Sequence, residues 1–261
     1  MRIALGIEYA GWNYAGFQRQ NTARTVQGEL EQALSSIAAQ PVSLVCAGRT
    51  DAGVNATGQV VHFDVTNDRP DRAWVMGTNT KLPPDIAVTW ACHVDESFHA
   101  RFSARARRYR YILQASQHRP GILQAGVSHY RGEYDVAAMH QAAQILRGEH
   151  DFASFCGADD ESRSTNRLLH FIEVSRHGPY IVFDIAANAF LNHMVRNIVG
   201  SLLMVGSGER TAAWLQEVFV ACDRNVAGPT AYPNGLYLVD VTYPASFNLP
   251  RREYLGPLWL D

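Results

Sequence analysis

The segment from Gly48 to Ala56 combines glycines and small side chains around a single carboxylate, Asp51, between two runs typical of β-strands. Gly48 and Gly53 allow tight or left-handed backbone geometry and let a ligand approach the chain closely. The segment is therefore typical of a ligand-binding or catalytic loop. A lone Asp-Ala-Gly loop is more often a hairpin turn in which the aspartate caps its own backbone, and this alternative stays open from the loop alone.

A second segment, from Ser97 to Gly132, has seven arginines and no aspartate or glutamate. Arginine itself indicates little here, because the chain has 22 arginines and one lysine. The absence of acidic residues from this segment is the evidence that it is locally basic. Guanidinium groups bind phosphate with two hydrogen bonds and stack on bases, so the segment favours RNA.

Tyr109 lies within this basic segment, in a predicted strand. A strand alternates its side chains, so Arg107 and Tyr111 should share the side of Tyr109, while Arg108 and Arg110 should lie on the other. A tyrosine ring offers a flat surface on which a base can stack, and its hydroxyl can transfer a proton. A half-buried strand tyrosine with no such role is the alternative.

Composition excludes several classes of protein. The net charge of −2 over 261 residues excludes a polybasic protein but not a local basic face. The four cysteines lie far apart, and neither they nor the histidines have metal-ligand spacing. The N terminus reaches Glu8 too soon for a signal peptide, and the most apolar stretch, 198–205, is too short to span a membrane. We expect a soluble, cytoplasmic protein with no membrane partner.

Two successive β-α-β-β-α-β patterns organise the chain. The first has strands over 2–9, 42–46, 59–65 and 86–92, a helix that begins behind the N-cap Thr25, and a helix over 71–82. The second has strands over 108–114, 169–176, 181–187 and 235–241 and helices over 135–146 and 190–205. The patterns predict an α+β fold of two ferredoxin-like (RRM-like) halves with largely antiparallel sheets. The expected domains are 1–96, with the Asp51 loop, and 97–261, with the basic strand and a C-terminal extension.

The stretch Gly48–Val54 resembles the active-site signature of the bacterial tRNA pseudouridine synthase A (TruA) family. Five other stretches resemble that family's motifs in the expected order: Tyr9–Gln20, Asn79–Ile86, Phe98–Ala104, Arg108–Tyr111 and Asn188–Asn197. The resemblance spans nearly the whole chain. It implies a homodimer that converts uridine into pseudouridine at positions 38, 39 and 40 of the tRNA anticodon stem-loop, without a metal or organic cofactor, in an active-site cleft between the two halves.

The resemblance also implies roles for particular residues. Asp51 corresponds to the family's nucleophile, Tyr109 to its active-site tyrosine, and Arg196 to the arginine that pairs with the nucleophile. Arg49 matches an arginine implicated in base flipping, and Leu236 matches an apolar wall of the pocket. An arginine beside the aspartate would keep the carboxylate ionised by charge pairing and hydrogen bonding. Without the resemblance, the residue pattern predicts that Arg196 is an ordinary arginine on a helix surface.

Two positions depart from the family pattern. Asn55 replaces a histidine that usually follows the Asp-Ala-Gly-Val run, and Ala10 replaces a usual aspartate. Neither departure changes the nucleophile itself. They therefore concern only polar contacts near the site and the contacts that bind RNA.

Two rival functions each need a feature that the sequence does not show. A hydrolytic glycosidase needs a second acidic group near the first, and the Asp51 motif brings none. A non-catalytic RNA-binding protein built on paired RRM-like sheets should carry an RNP1 pattern of the Gly-Phe-Gly-Phe-Val type, which does not occur in the sequence.

Overall fold

In the computed structural model, the described residues are 1–67, 69–158, 162–250 and 256–257. The chain packs as two compact units. Among the described residues, unit 1 comprises those from Met1 to Arg105 and from Tyr237 onwards, and unit 2 comprises those from Ala106 to Leu236. The domain boundaries expected from the sequence, 1–96 and 97–261, stay a prediction, and residues 97–105 and most of the last strand pack with unit 1.

Ten strands and four α-helices make up the regular structure of the described residues. The strands are β1 (Arg2–Tyr9), β2 (Leu44–Cys46), β3 (Asn55–Asp64), β4 (Ile86–Val94), β5 (Ala106–Ala115), β6 (Ser128–Tyr130), β7 (Gly148–Asp151), β8 (Asn166–His177), β9 (Tyr180–Ala187) and β10 (Leu236–Thr242). The helices are α1 (Val26–Ala38), α2 (Val136–Ala143), α3 (Met194–Gly206) and α4 (Ala212–Ala221). A π-helical turn, Ala73–Gly77, occupies part of the helix expected over 71–82.

Unit 1 has the strand order of a ferredoxin-like motif. Strands β4, β1 and β3 are adjacent and antiparallel, and β2 pairs with the other edge of β3. Strand β10 joins that same edge in parallel, through Tyr237 opposite Asn55 and Leu238 opposite Ala56. Helix α1 begins as expected, because the Thr25 hydroxyl accepts a hydrogen bond from the Gly28 amide at 3.3 Å.

Unit 2 is built on an antiparallel sheet in the order β5, β9, β8, β7, with β6 added in parallel to β5. Helix α2 packs on β8, while α3 and α4 pack against α2 and against each other. The Asp135 carboxylate caps α2 by accepting a hydrogen bond from the Ala138 amide at 2.9 Å. The hairpin expected at 177–179 is confirmed between β8 and β9.

Helix α3 corrects one sequence expectation, since it begins at Met194 rather than at residue 190. The residue before it, His193, has a left-handed backbone with φ of 58°, which interrupts any helix that would extend through it. Met194, Ile198 and Leu202 are buried as one stripe of α3, whereas Phe190 lies outside the helix.

The α+β class with largely antiparallel sheets is confirmed. Strands β6 and β7 and helix α4 were not expected from the sequence, and β6 and β7 have only three and four residues. Within the described ranges, no helix has both the length and the apolar character needed to cross a membrane.

Candidate active site

The loop between β2 and β3 presents Asp51. The Val54 amide donates to the Asp51 carbonyl at 3.1 Å and closes a turn, in which Gly53 takes a φ of 78°. That value lies in the region that glycine adopts without a steric penalty. The Asp51 side chain is partly exposed and Arg49 is exposed. The loop therefore offers a carboxylate and a guanidinium two residues apart to an incoming ligand.

A buried polar network anchors this loop on both sides of Arg49. The Tyr9 and Thr50 hydroxyls share a hydrogen bond of 2.7 Å, and the Gln59 amide donates to the Gly48 carbonyl at 2.7 Å. Gln59 is fully buried, and Tyr9 and Thr50 nearly so. A buried hydrogen-bonded network of this kind restrains the backbone strongly. Gln59 was not expected as a site residue, because β3 holds other polar side chains and nothing in the sequence distinguishes Gln59 from them.

The segment after β1 packs directly on the loop. The Phe17 amide donates to the Thr50 carbonyl at 3.0 Å. Gly16 has a φ of 100°, and a Cβ there would lie 3.0 Å from that same carbonyl oxygen. A Cβ on Gly11 would lie only 1.9 Å from the Val54 carbonyl oxygen. Both glycines therefore permit a close approach that other residues would prevent.

Asn55, one of the two departures from the family pattern, has a clear structural partner. Its side-chain oxygen accepts a hydrogen bond from the Gly11 amide at 2.8 Å, and the residue is buried. Asn55 therefore ties the segment after β1 to the start of β3. The backbone of Ala10, the other departure, donates to the Asp85 carbonyl at 2.9 Å.

Asp85 also holds this segment through its side chain. Its carboxylate accepts hydrogen bonds from Tyr14 at 2.5 Å and from Asn13 at 3.1 Å. Burial raises the pKa of the Tyr14 hydroxyl, and the hydrogen bond to Asp85 raises it further. Burial alone would raise the pKa of Asp85, but the hydrogen bonds from Tyr14 and Asn13 hold it below its usual value. The pair is thus a neutral phenol and a carboxylate near neutral pH.

In unit 2, Tyr109 lies on β5 and is 8% exposed. Its ring meets that of Phe190 edge to face, with 5.0 Å between centroids. On the same strand, Arg107 donates to the Asn188 carbonyl at 2.9 Å. The segment just after β9 therefore packs on β5 at Tyr109.

Arg108 and Arg110 share the opposite side of β5, as the alternation predicts, and both bind Asp184. Arg108 donates through Nε and Nη2, each at 2.7 Å, and Arg110 donates through Nε at 2.7 Å. Asp184 is 8% exposed, so the two guanidinium groups compensate a buried carboxylate. Their contact with RNA stays a prediction.

Arg196 lies in the first turn of α3. Its Nε donates to the Ala231 carbonyl at 2.8 Å, and the Ala231 amide donates to the Arg196 carbonyl at 3.1 Å. The preceding residue, Thr230, donates its hydroxyl to Asn197 Oδ1 at 2.6 Å. A Cβ on Gly200 would lie 1.7 Å from the Pro229 carbonyl oxygen, so the 229–231 segment lies directly on the helix.

Tyrosines surround the same part of unit 2. The Tyr111 hydroxyl donates to Ser128 Oγ at 2.7 Å, and the Tyr232 amide donates to the Tyr130 hydroxyl at 3.1 Å. Burial raises the pKa of Tyr111 well above its usual value, although the charge of Arg196 acts in the opposite direction. Leu236, the first residue of β10, is 5% exposed and follows Gly235, whose carbonyl accepts from the Ile112 amide at 2.8 Å.

The structure thus divides the expected site residues between the units. Arg49 and Asp51 lie in unit 1, while the other expected residues lie in unit 2: Arg107, Arg108, Tyr109, Arg110, Arg196 and Leu236. No group of three or more His, Cys, Asp or Glu residues in the described part of the chain is placed to hold a metal ion.

Comparison with known proteins identifies the family. The model of the family described as tRNA pseudouridine synthase matches residues 6–103 and 142–244. The chain is 60% identical to a tRNA pseudouridine synthase A of Aeromonas hydrophila, over 100% of this chain and 96% of that protein. It is 57% identical to one of Shewanella sp. (strain MR-4), over 100% of this chain and 99% of that protein.

A solved structure titled "Crystal Structure of a Cbf5-Nop10-Gar1 Complex" is a distant match, 11% identical with a TM-score of 0.38, covering 90% of this chain and 48% of that chain. A score so low says nothing about the fold or the site. The family model and the full-length relatives are decisive by themselves. The chain belongs to the tRNA pseudouridine synthase A family, a family of isomerases.

Proposed function

We propose that this protein isomerises uridine to pseudouridine at positions 38, 39 and 40 of the tRNA anticodon stem-loop, with Asp51 as nucleophile. The observation that carries the proposal is the Asp51 loop. Its carboxylate is partly exposed, whereas the backbone around it is anchored by Tyr9, Thr50 and Gln59. Such rigidity suits a group that must meet one reacting atom.

The reaction needs no co-reactant. The bond between ribose C1′ and uracil N1 breaks, the uracil rotates, and a bond forms between C1′ and C5. The proton on C5 leaves, and N1 ends protonated, so atoms and electrons balance. A carboxylate can form a covalent adduct and be released again, and attack at ribose C1′ and attack at uracil C6 both use it in this way. The proposal accordingly includes no metal and no organic cofactor.

The other residues have supporting roles in this proposal. Arg196 stabilises the charge of Asp51, and Tyr109 offers its ring to the flipped uracil and its hydroxyl to the C5 proton. Arg49 enters the stem as the base leaves it, and Leu236 forms an apolar wall for the uracil. Arg107, Arg108 and Arg110 contact tRNA phosphates. The protein acts as a homodimer in the cytoplasm.

Asp51→Asn tests the nucleophile, because the amide keeps the shape of the carboxylate but is a far weaker nucleophile. Unmodified tRNA is incubated with wild type, with Asp51→Asn, and with Glu217→Gln, which removes an exposed carboxylate on α4. Pseudouridine is then mapped chemically along the RNA. We expect modification at positions 38 to 40 by the wild type and by Glu217→Gln, and none by Asp51→Asn, with tRNA binding retained in all three.

Other products identify the rival functions. Release of free uracil from tRNA would indicate a hydrolytic glycosidase. Tight tRNA binding by wild type without any change in the RNA would indicate a non-catalytic RNA-binding protein. Pseudouridine formed by Asp51→Asn at the wild-type rate would exclude Asp51 as the nucleophile.

A further inference from the structure

Phe102 presents its ring to solvent on unit 1. The side chain is 75% exposed and lies in a turn between β4 and β5. One face of the ring stacks on His99, with 4.3 Å between centroids and 28° between planes. Because 75% of the side chain stays exposed beside this stack, part of the ring surface is open to a second planar group.

The turn that carries Phe102 is held by its own hydrogen bonds. His99 Nδ1 accepts from the amides of Arg101 and Phe102, each at 3.2 Å. The His99 amide donates to Ser103 Oγ at 2.9 Å, and the Ser103 amide donates to the His99 carbonyl at 2.8 Å. The backbone of Phe102 is therefore ordered before any ligand arrives, which lowers the entropic cost of binding.

A tilted contact between two histidine rings, with 58° between their planes, leads from His99 into the core of unit 1. His99 lies 4.8 Å from the ring of His62, which is 4% exposed and accepts from the Ala100 amide at 3.1 Å. Burial and the charge of Arg2 lower the pKa of His62 to about 4, so this ring is neutral at pH 7. His62 and His99 thus support Phe102 from behind as neutral, flat groups.

Arg101 places a positive charge beside the Phe102 ring. The Arg101 guanidinium carbon lies 5.5 Å from the centre of the Phe102 ring, and Arg101 is exposed. The sequence has no acidic residue from Ser97 to Gly132. An aromatic face beside an arginine, with no carboxylate along this stretch, complements a nucleobase and its phosphate.

We propose that Phe102 is a stacking platform for an unpaired base of the tRNA substrate, with Arg101 at the adjoining phosphate. The proposal rests on the function proposed above, since it takes tRNA as the substrate, but it concerns a contact remote in sequence from the Asp51 loop. A second copy of this chain is the competing occupant of the ring face, and the experiment distinguishes the two.

The binding test compares Phe102→Ala with Phe102→Trp, which restores a stacking surface. The matched control is Ile122→Ala, which truncates a 99% exposed apolar side chain on unit 2. Dissociation constants for unmodified tRNA are measured at one fixed salt concentration, because phosphate contacts make affinity salt-dependent. We expect Phe102→Ala to weaken binding about 5- to 150-fold, as the loss of one base stack does, with wild-type affinity in the other two variants.

A second experiment locates the base. Anticodon-arm RNAs with one abasic nucleotide at a time are bound to wild type and to Phe102→Ala. One abasic position should weaken binding to the wild type about as much as the alanine substitution does. At that position the substitution should cause no further loss, because the stack is already absent.

Two results would overturn the proposal. The first is wild-type affinity of Phe102→Ala for tRNA. The second is a change from dimer to monomer in sedimentation of Phe102→Ala, which would place a second copy on the ring. Either result leaves the proposed function intact if the wild type still forms pseudouridine. Absence of pseudouridine with the wild type refutes the proposed function instead, whatever the variants bind.

Discussion

Arg196 and Ala231 are hydrogen-bonded in both directions, since Arg196 Nε donates to the Ala231 carbonyl at 2.8 Å and the Ala231 amide donates to the Arg196 carbonyl at 3.1 Å. The guanidinium plane is thereby fixed from its Nε side. A planar, forked group held in this way is pre-organised for directed hydrogen bonding. The segment that contains Ala231 therefore positions Arg196, the proposed catalytic arginine.

Thr230→Val should lower the single-turnover rate while leaving the dissociation constant for tRNA near its wild-type value. The hydroxyl that it removes donates to Asn197 Oδ1 at 2.6 Å and accepts from Arg224 at 3.1 Å, which holds the Ala231 segment on α3. We expect about a tenfold loss of rate and about 1 to 3 kcal/mol of stability, because two partly buried hydrogen bonds are lost. Thr230→Ser should restore both. If Thr230→Val loses only stability, the segment does not position Arg196.

Gly16→Ala should reduce both stability and turnover. A side chain at φ of 100° is strained, and the new Cβ would lie 3.0 Å from the Thr50 carbonyl beside Asp51. We expect a loss of about 1 to 3 kcal/mol in denaturant unfolding and a slower single turnover. Gly121→Ala is the control, because a Cβ there meets nothing within 4 Å. Equal activity of the two variants would show that the Asp51 loop tolerates displacement.

Tyr109→Phe should separate the contribution of the ring to tRNA binding from that of the hydroxyl to the reaction rate. The ring stays against Phe190, so tRNA binding should persist. Loss of a proton carrier should slow single turnover on the order of a hundredfold or more. Tyr134→Phe, which removes a hydroxyl bonded to the Arg131 carbonyl at 3.3 Å, serves as control. A wild-type rate for Tyr109→Phe would leave Tyr109 as a platform only, and lost binding would mean that the hydroxyl positions the RNA.

Replacing Arg108 and Arg110 together with Gln should destabilise the fold. Asp184 would remain as a buried carboxylate without its two guanidinium partners, a loss of about 3 to 5 kcal/mol for such pairs. Adding Asp184→Asn should recover much of that stability, whereas Arg119→Gln with Arg131→Gln, both exposed, should change it little. Chemical denaturation measures each. The salt dependence of tRNA binding should be compared only between variants that fold, and an undiminished stability of the double variant would contradict the ion-pair interpretation.

The stability of the protein should fall between pH 7 and pH 5 partly because of His62. Burial, with the charges of Arg2 and His99, lowers the pKa of folded His62 to about 4, while Asp64 acts in the opposite direction. The unfolded chain binds that proton near pH 6.5, so it takes up more protons in this interval and is favoured as pH falls. Proton uptake by His62 of the unfolded chain should lower the free energy of unfolding by about 2 kcal/mol between pH 7 and pH 5. His62→Asn should weaken the dependence of the free energy of unfolding on pH across this interval, as measured by chemical denaturation. An unchanged dependence would contradict the role assigned to His62.

Local features were readable from the sequence by itself. The Thr25 cap, the alternation around Tyr109 and the hairpin at 177–179 each depend on residues within a few positions of one another. Backbone preferences, capping and side-chain alternation act over that range, so a single chain shows them directly. The family motifs are equally local, which is why the resemblance names Asp51, Tyr109 and Arg196.

Contacts between distant segments needed the tertiary structure. Tyr9 and Thr50 are 41 residues apart, and Arg108 and Asp184 are 76 apart, so no local pattern indicates either pair. The same holds for β10, which pairs with β3 and lies in unit 1 from Tyr237 onwards. The left-handed backbone at His193, which delays α3, also has no decisive sequence signal, because most histidines adopt other backbone conformations although histidine is enriched in this one.

The sequence alone thus determined which residues could do chemistry, and the tertiary structure decided what holds them. The carboxylate of Asp51 and the guanidinium of Arg196 are properties of side chains, present in any conformation. Their supports, Gln59 beneath the loop and Ala231 against the arginine, exist only once strands and helices pack. Hydrogen-bond partners are chosen by spatial proximity in a dry interior, where an unpaired polar group is costly, and proximity is a property of the folded chain.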